Sequence, residues 1–187
     1  MLKACWDCLV GYDLIRDGTR VEEPYESTQL NGNINRAPPW PQPQLKNEKM
    51  YLLPKILNSN DNILVQGKTF SQRSRLTIGL LTGYNSPDHT NVACQLEILF
   101  NEPSKIAIQI VENGYSEVIN DENQANDYFP DESFEINFRV RSPEIIDVDV
   151  GNSYLATVPL KHDVNNIRYL TVHGDVDKVT RLDFSFG

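Results

Sequence analysis

The chain has 187 residues, room for one core of roughly 100–150 residues and an extension, and its 40% apolar and 23% charged residues exclude wholesale disorder. A net charge of −9 speaks against nucleic acid or insertion at an anionic membrane as the partner, since both need basic patches. Three cysteines, Cys5, Cys8 and Cys94, are too few for a disulfide scaffold and suit a reducing compartment.

The first residues, Met1 onward, are broken by Asp7 and hold no uninterrupted apolar core of a signal peptide. The expected location is the cytoplasm, with secretion by a route that needs no signal peptide as the alternative. Cys5 and Cys8 have the spacing of a metal knuckle, but no second pair completes four ligands, so no metal and no cofactor is expected. Residues 1–47 differ in composition from the rest of the chain and end in the run Pro38-Pro39-Trp40-Pro41-Gln42-Pro43. Prolines at that density enforce an extended path, so 1–47 is expected to be an arm, pinned by Trp40, and 48–187 the domain.

From Met50 the pattern is strand after strand. An apolar run at 62–66 stops at Gly67, and 75–81 alternates with Leu76, Ile78 and Leu80 on one face. Turn formers fill 83–91 (Asn85, Ser86, Pro87, Asp88). In 91–100 the alternation predicts Val92, Cys94, Leu96, Ile98 and Phe100 inside, with Ala93, Gln95, Glu97 and Leu99 on the other face. A second strand spans 105–111, and Asn113-Gly114 signals a tight turn. Further strands are expected at 134–140, 145–150, 153–160, 167–172 and 182–186, with Gly151-Asn152 turning between two of them. Strands every 8–12 residues or so, without a helical period longer than a turn, predict an all-β antiparallel sandwich. A row of polar side chains on the open face of 91–124 is the expected binding site.

The order of these segments resembles the galectins over 51–186. Asn62-Ile63-Leu64-Val65-Gln66-Gly67 is similar to that family's "G-x-x-L-x-V-x-G" strand, and Leu76-Thr77-Ile78-Gly79-Leu80 to its "F-x-I-N-L" strand. Phe134-Glu135-Ile136-Asn137-Phe138-Arg139-Val140 resembles its "F-E-L-x-I-x-V" strand, and the stretch from Ile167 through His173-Gly174-Asp175-Val176 its "I-x-x-L-x-I-x-G-D-V" ending. The resemblance implies a galectin-like two-sheet jelly roll with an N-terminal extension, and a lectin rather than an enzyme.

Galectins hold galactose through "H-x-N-x-R", a following asparagine and "W-G-x-E-x-R". By resemblance Gln95 stands at the histidine, Glu97 at the first asparagine and Leu99 at the arginine. Gln109 stands at the second asparagine, and Ser116, beside Tyr115, at the tryptophan. Ile119 and Asp121 take the last two positions, and a one-residue slip brings Glu117 in. No tryptophan occurs after Trp40, so the indole that would stack on the sugar ring is absent. Neither Leu99 nor Asp121 can replace a guanidinium fork. The expected carbohydrate-binding candidates are Gln95, Glu97, Gln109, Asn113, Tyr115, Ser116 and Glu117, with the usual galactoside set replaced. A glycan of unspecified type or a protein, a second copy of the chain included, is the expected partner.

Catalysis finds little support. His89, His162 and His173 are scattered, and no nucleophile elbow, phosphate loop or paired-histidine metal motif is present. Asp147 and Asp149 read as outward residues of a strand whose Ile146, Val148 and Val150 face the core. Lys161-His162-Asp163 reads as an exposed hairpin end.

Overall fold

The computed structural model describes residues 47–123 and 125–187. The expectations for Cys5, Cys8, Trp40 and the proline run lie outside the described residues. Eleven strands are present among them: β1 (Lys49–Leu52), β2 (Asn62–Thr69), β3 (Arg75–Thr82), β4 (Asp88–Leu99), β5 (Lys105–Glu112), β6 (Tyr115–Asn123), β7 (Ser133–Ser142), β8 (Ile145–Val150), β9 (Ser153–Pro159), β10 (Ile167–Gly174) and β11 (Val176–Ser185). A four-residue helix, α1 (Ala125–Tyr128), and a 3-10 turn at Val164–Asn166 complete the described chain.

The strands form two antiparallel sheets, one in the order β1-β10-β3-β4-β5-β6 and one in the order β11-β2-β7-β8-β9. Each contributes alternate side chains to one interior. Leu76, Ile78, Leu80, Leu96, Ile98, Ile106 and Ile108 enter from the first sheet, and Ile63, Val65, Ile136, Phe138, Ile146 and Val148 from the second. All are 2% exposed or less, so the two-residue period read from the sequence is the period of the core. Phe100 and Phe129 close one corner edge to face, their ring centres 5.8 Å apart, and Arg73 lies 4.2 Å above the Phe100 ring.

One alternation fails. The sequence places Val92 inside and Ala93 outside, whereas Ala93 is in the main core and Val92 packs with Leu81 and Tyr169 in a separate cluster. The cause is a register shift between Val92 and Gln95, an extra residue that flips the face of everything before it. β4 also begins at Asp88, inside the stretch of turn formers, and β11 begins at Val176, well before 182.

The outer face of the second sheet is knitted by charge. Asp147 is 2% exposed although it points away from the core. Arg141 Nε at 2.7 Å and the Thr157 hydroxyl at 2.6 Å cover it, while Arg139 Nε holds the Asp149 carboxylate at 2.9 Å. The two aspartates are thus tied down by neighbouring strands.

The junction between β10 and β11 depends on glycine. Gly174 has φ of 102°, and a Cβ there would stand 2.4 Å from the Arg75 carbonyl oxygen. Next to it, the Asp175 carboxylate accepts from Ser74 N (2.6 Å), Ser74 Oγ (2.7 Å) and Arg75 N (3.0 Å). Those three donors hold its pKa below the usual carboxylate value. Replacing Gly174 by alanine is expected to lower the unfolding free energy by about 1–3 kcal/mol, the range for a non-glycine residue forced into such backbone, read by urea denaturation.

Candidate lectin site on the open face of the six-stranded sheet

The outward residues of β3 to β6 align in rows set by the strand register. Thr77, Glu97, Ala107 and Asp121 form one row; Gly79, Gln95, Gln109 and Val118 form the next. Val92, Val111 and Ser116 make up a third.

A hydrogen-bonded relay crosses these four strands. Arg75 Nη2 lies 2.5 Å from Glu97 Oε1, and Gln109 Nε2 donates to Glu97 Oε2 at 2.9 Å. The Ser116 hydroxyl then donates to Gln109 Oε1 at 2.6 Å. Both carboxylate oxygens of Glu97 are therefore occupied, which is how a half-buried anion is tolerated on the sheet. Gln95, directly opposite Gln109, makes no side-chain hydrogen bond of its own within the described residues and keeps its donors and acceptor free. Val118 is 55% exposed beside Gln109 and gives the polar row an apolar ledge.

The predicted residues divide. Gln95, Glu97, Gln109 and Ser116 come together as one surface. Asn113 sits at the β5–β6 turn with φ of 52°, its N–H donated to Asn91 Oδ1 at 3.0 Å. Tyr115 is 82% exposed at the start of β6. Glu117 lies on the opposite side of β6, across from core-facing Ile110, and reaches Lys161 at 3.3 Å. Ile119 falls at a second register shift, between Ile108 and Gln109, and packs toward the core. Asp121 stays on the open face and pairs with Lys105 at 2.7 Å.

Sequence reasoning missed Arg75, Lys105 and Val118. Arg75 restores a guanidinium to this face, from β3 rather than β4 or β6. The alternation of β3 carried the signal: with Leu76, Ile78 and Leu80 inside, Arg75, Thr77 and Gly79 must point out. Two of the three histidines, His89 and His173, lie closer together than the sequence suggests. His89 Nε2 is 3.9 Å from Glu48 Oε2, and His173 feels Glu48 and His89 as well as Arg75 and Glu97. Burial, the largest influence, pushes the His173 pKa down, assisted by Arg75 and His89 and opposed by Glu48 and Glu97. Among the described residues no group of three His, Cys, Asp or Glu side chains is placed to hold a metal.

Two antiparallel sheets packed on one core, with a polar row across one open face, define a β-sandwich. The profile of the galactoside-binding lectin family matches residues 49–184, and the chain belongs to that family. Its fold is similar to sheep galectin-11, solved as a complex with glycerol, at 14% identity over 76% of this chain and 100% of that one, TM-score 0.59. It is similar as well to CG-16, a homodimeric agglutinin from chicken liver, at 18% identity over 74% of this chain and all of that one, TM-score 0.58. Caenorhabditis elegans galectin LEC-6 matches at 15% identity over 75% of this chain and 92% of its own, TM-score 0.59. Among the curated proteins none matches. No helix of the described residues is long and apolar enough to cross a membrane.

A histidine with a lowered pKa binds its proton more readily in the unfolded chain than in the folded one. Stability from His173 is therefore complete above about pH 6.5, the ordinary histidine value, and falls as pH drops through it toward the folded pKa. Urea midpoints between about pH 7.5 and 5.5 should decline, and His173→Gln should flatten that decline.

Proposed function

We propose that the open face of β3 to β6 is a non-catalytic glycan-recognition surface whose specificity departs from the ordinary galactoside. The relay Arg75–Glu97–Gln109–Ser116 carries this reading. It arranges carboxamide and carboxylate groups so that Gln95, the outer edge of Gln109 and the exposed part of Arg75 face solvent together. Such a set suits the alternating donors and acceptors of sugar hydroxyls, and Val118 offers an apolar contact in place of a ring. The side chains at the galactoside positions have changed type, so the preferred glycan differs in hydroxyl geometry.

The domain in this reading is 48–187, with 1–47 an arm outside it. Cys94, buried and free, has its thiol pushed up to about 12 by burial and serves as a small core side chain.

On a glycan array the full chain should bind a subset of glycans saturably. Gln95→Ala/Gln109→Ala should weaken the best of them by roughly tenfold or more, the value of one or two neutral hydrogen bonds. Lactose should show no binding up to about 1 mM, equivalent to less than about 4 kcal/mol. An array with no positive glycan would sink the proposal.

A protein partner is the second reading, favoured by one observation. β6 is the terminal strand of its sheet and exposes Tyr115 and Val118 (82% and 55%), a strand edge to which another chain, a second copy included, can add. That complex would persist in excess sugar and dissociate with Val118→Lys; sedimentation velocity reads both.

A further inference from the structure

At one end of the six-stranded sheet, the β3–β4 loop and the 3-10 turn ahead of β10 enclose a cleft of about 350 Å³. Tyr84, Asn91, His162, Asn165, Asn166 and Arg168 line it. It starts where the open face ends, since Tyr169, the neighbour of Arg168, packs under Leu81 and Val92. None of these residues belongs to the relay.

Arg168 is anomalous in its surroundings. Acidic residues outnumber basic ones 26 to 17, so a guanidinium in this chain should readily find a carboxylate. Every other arginine among the described residues has an acceptor: Arg73 the carbonyls of Phe129 and Asp131, Arg75 Glu97, Arg139 Asp149, Arg141 Asp147 and Arg181 Asp183. Arg168 has none. Its Nε is shielded from solvent and lacks a hydrogen-bond partner, and the same holds for Nε2 of His162, which lines the same cleft. A shielded donor with nothing to donate to is rare in folded proteins, and a planar guanidinium amplifies the deficit.

The neighbouring carboxylates and Asn91 do not supply the missing acceptor. Asp88 is committed to Thr90 N, Thr90 Oγ1 and Asn91 Nδ2, three bonds that also hold its pKa down. Asp163 accepts from Asn165 N at 2.9 Å. Asn91 has spent its amide on Asp88 and its oxygen on Asn113 N. The other polar side chains lining the cleft are the Arg168 guanidinium, His162, Tyr84 and the carboxamides of Asn165 and Asn166. Together they make a polar wall with one fixed positive charge and several N–H donors.

We propose that this cleft binds a small oxyanion group, a carboxylate or a sulfate. The Arg168 guanidinium grips two of its oxygens side by side, and the Asn165 and Asn166 amides and His162 supply the surrounding donors. The anion is either free in solution or the acidic substituent of a glycan. The site stands on residues separate from Gln95, Gln109 and Ser116, so it survives whether or not the open face takes a sugar.

The test tracks the Arg168 Nε–H signal in 1H–15N spectra of the full chain titrated with sodium sulfate, against sodium chloride at matched ionic strength. A sulfated galactoside and its unsulfated parent form a second pair. Sulfate should shift the Arg168 signal saturably where chloride does not, and Arg168→Gln should weaken sulfate binding by about tenfold or more. Arg181→Gln, which removes a surface arginine from β11, should leave it unchanged. A sulfated sugar that binds more tightly than sulfate identifies an acidic glycan as the source; equal affinities identify the free anion, and either supports the site. An unmoved Arg168 signal in the native chain, equal sulfate binding by Arg168→Gln, or a shift that chloride reproduces would each overturn it. Because the main signal is read in the unmodified protein, a misfolded variant leaves the outcome decisive.

Discussion

Every strand of the sandwich must place alternate side chains in a dry interior, and this requirement sets the register on which the outer surface depends. Ile78, Leu96 and Ile108 lie side by side across β3, β4 and β5, each with no measurable exposure. With that row fixed, the outward neighbours have no freedom: Glu97 must meet Thr77 and Ala107, and Gln95 must meet Gly79 and Gln109. A one-residue slip of β4 would drive the Glu97 carboxylate into the core and Ile98 into water. Burial of a leucine-sized side chain is worth about 1.5–3 kcal/mol, and an unpaired buried carboxylate costs far more, so the slip is strongly excluded. The polar row owes its alignment to the apolar row beneath it.

Within that row Glu97 is the organiser, because it is the anion to which two strands supply donors. Arg75 reaches it from β3 and Gln109 from β5, and Gln109 in turn orients Ser116 on β6. The placement of Arg75 is decided elsewhere. Asp175, in the junction between β10 and β11, grips the backbone of Ser74 and Arg75 and so fixes where β3 begins. Residues 100 apart in sequence thus share responsibility for one side chain of the site. The Gly-Asp pair near the end of the chain is structural, and its effect is felt on the open face.

The sandwich was readable because several strands alternate cleanly: Leu76, Ile78 and Leu80, then Phe134, Ile136, Phe138 and Val140, then Ile146, Val148 and Val150, are all buried where the two-residue period places them. Gln95, Glu97 and Gln109 were legible for the same reason, as the polar complement of that alternation. What escaped was whatever a register shift displaced. The extra residue before Gln95 reversed Val92 and Ala93, and the shift at Ile119 turned that residue inward and left Val118 exposed. Neither leaves a mark in composition, because a bulge is resolved by pairing with a partner strand. Arg75 was missed for a different reason: it lies on β3, outside the 91–124 stretch to which the sequence pattern assigns the polar row. The pairing of Asp147 with Arg139 and Arg141 could not be foreseen from Asp147 and Asp149 alone, for it depends on which strand lies beside β8. The cleft around Arg168 joins the loop at 83–87 to a turn at 164–166, and no local pattern links the two.

In the proposed function the carboxamide row on the six-stranded sheet, and not a galactoside set, is the recognition surface. Side-chain amide spectra of the full chain, titrated first with lactose and then with a pool of soluble non-lactose oligosaccharides, test it most directly. The Gln95 and Gln109 NH2 signals should stay unmoved with lactose and both should move saturably with the pool. Movement of those signals by lactose at micromolar concentrations, or a pool that shifts signals from the five-stranded sheet alone, would contradict it.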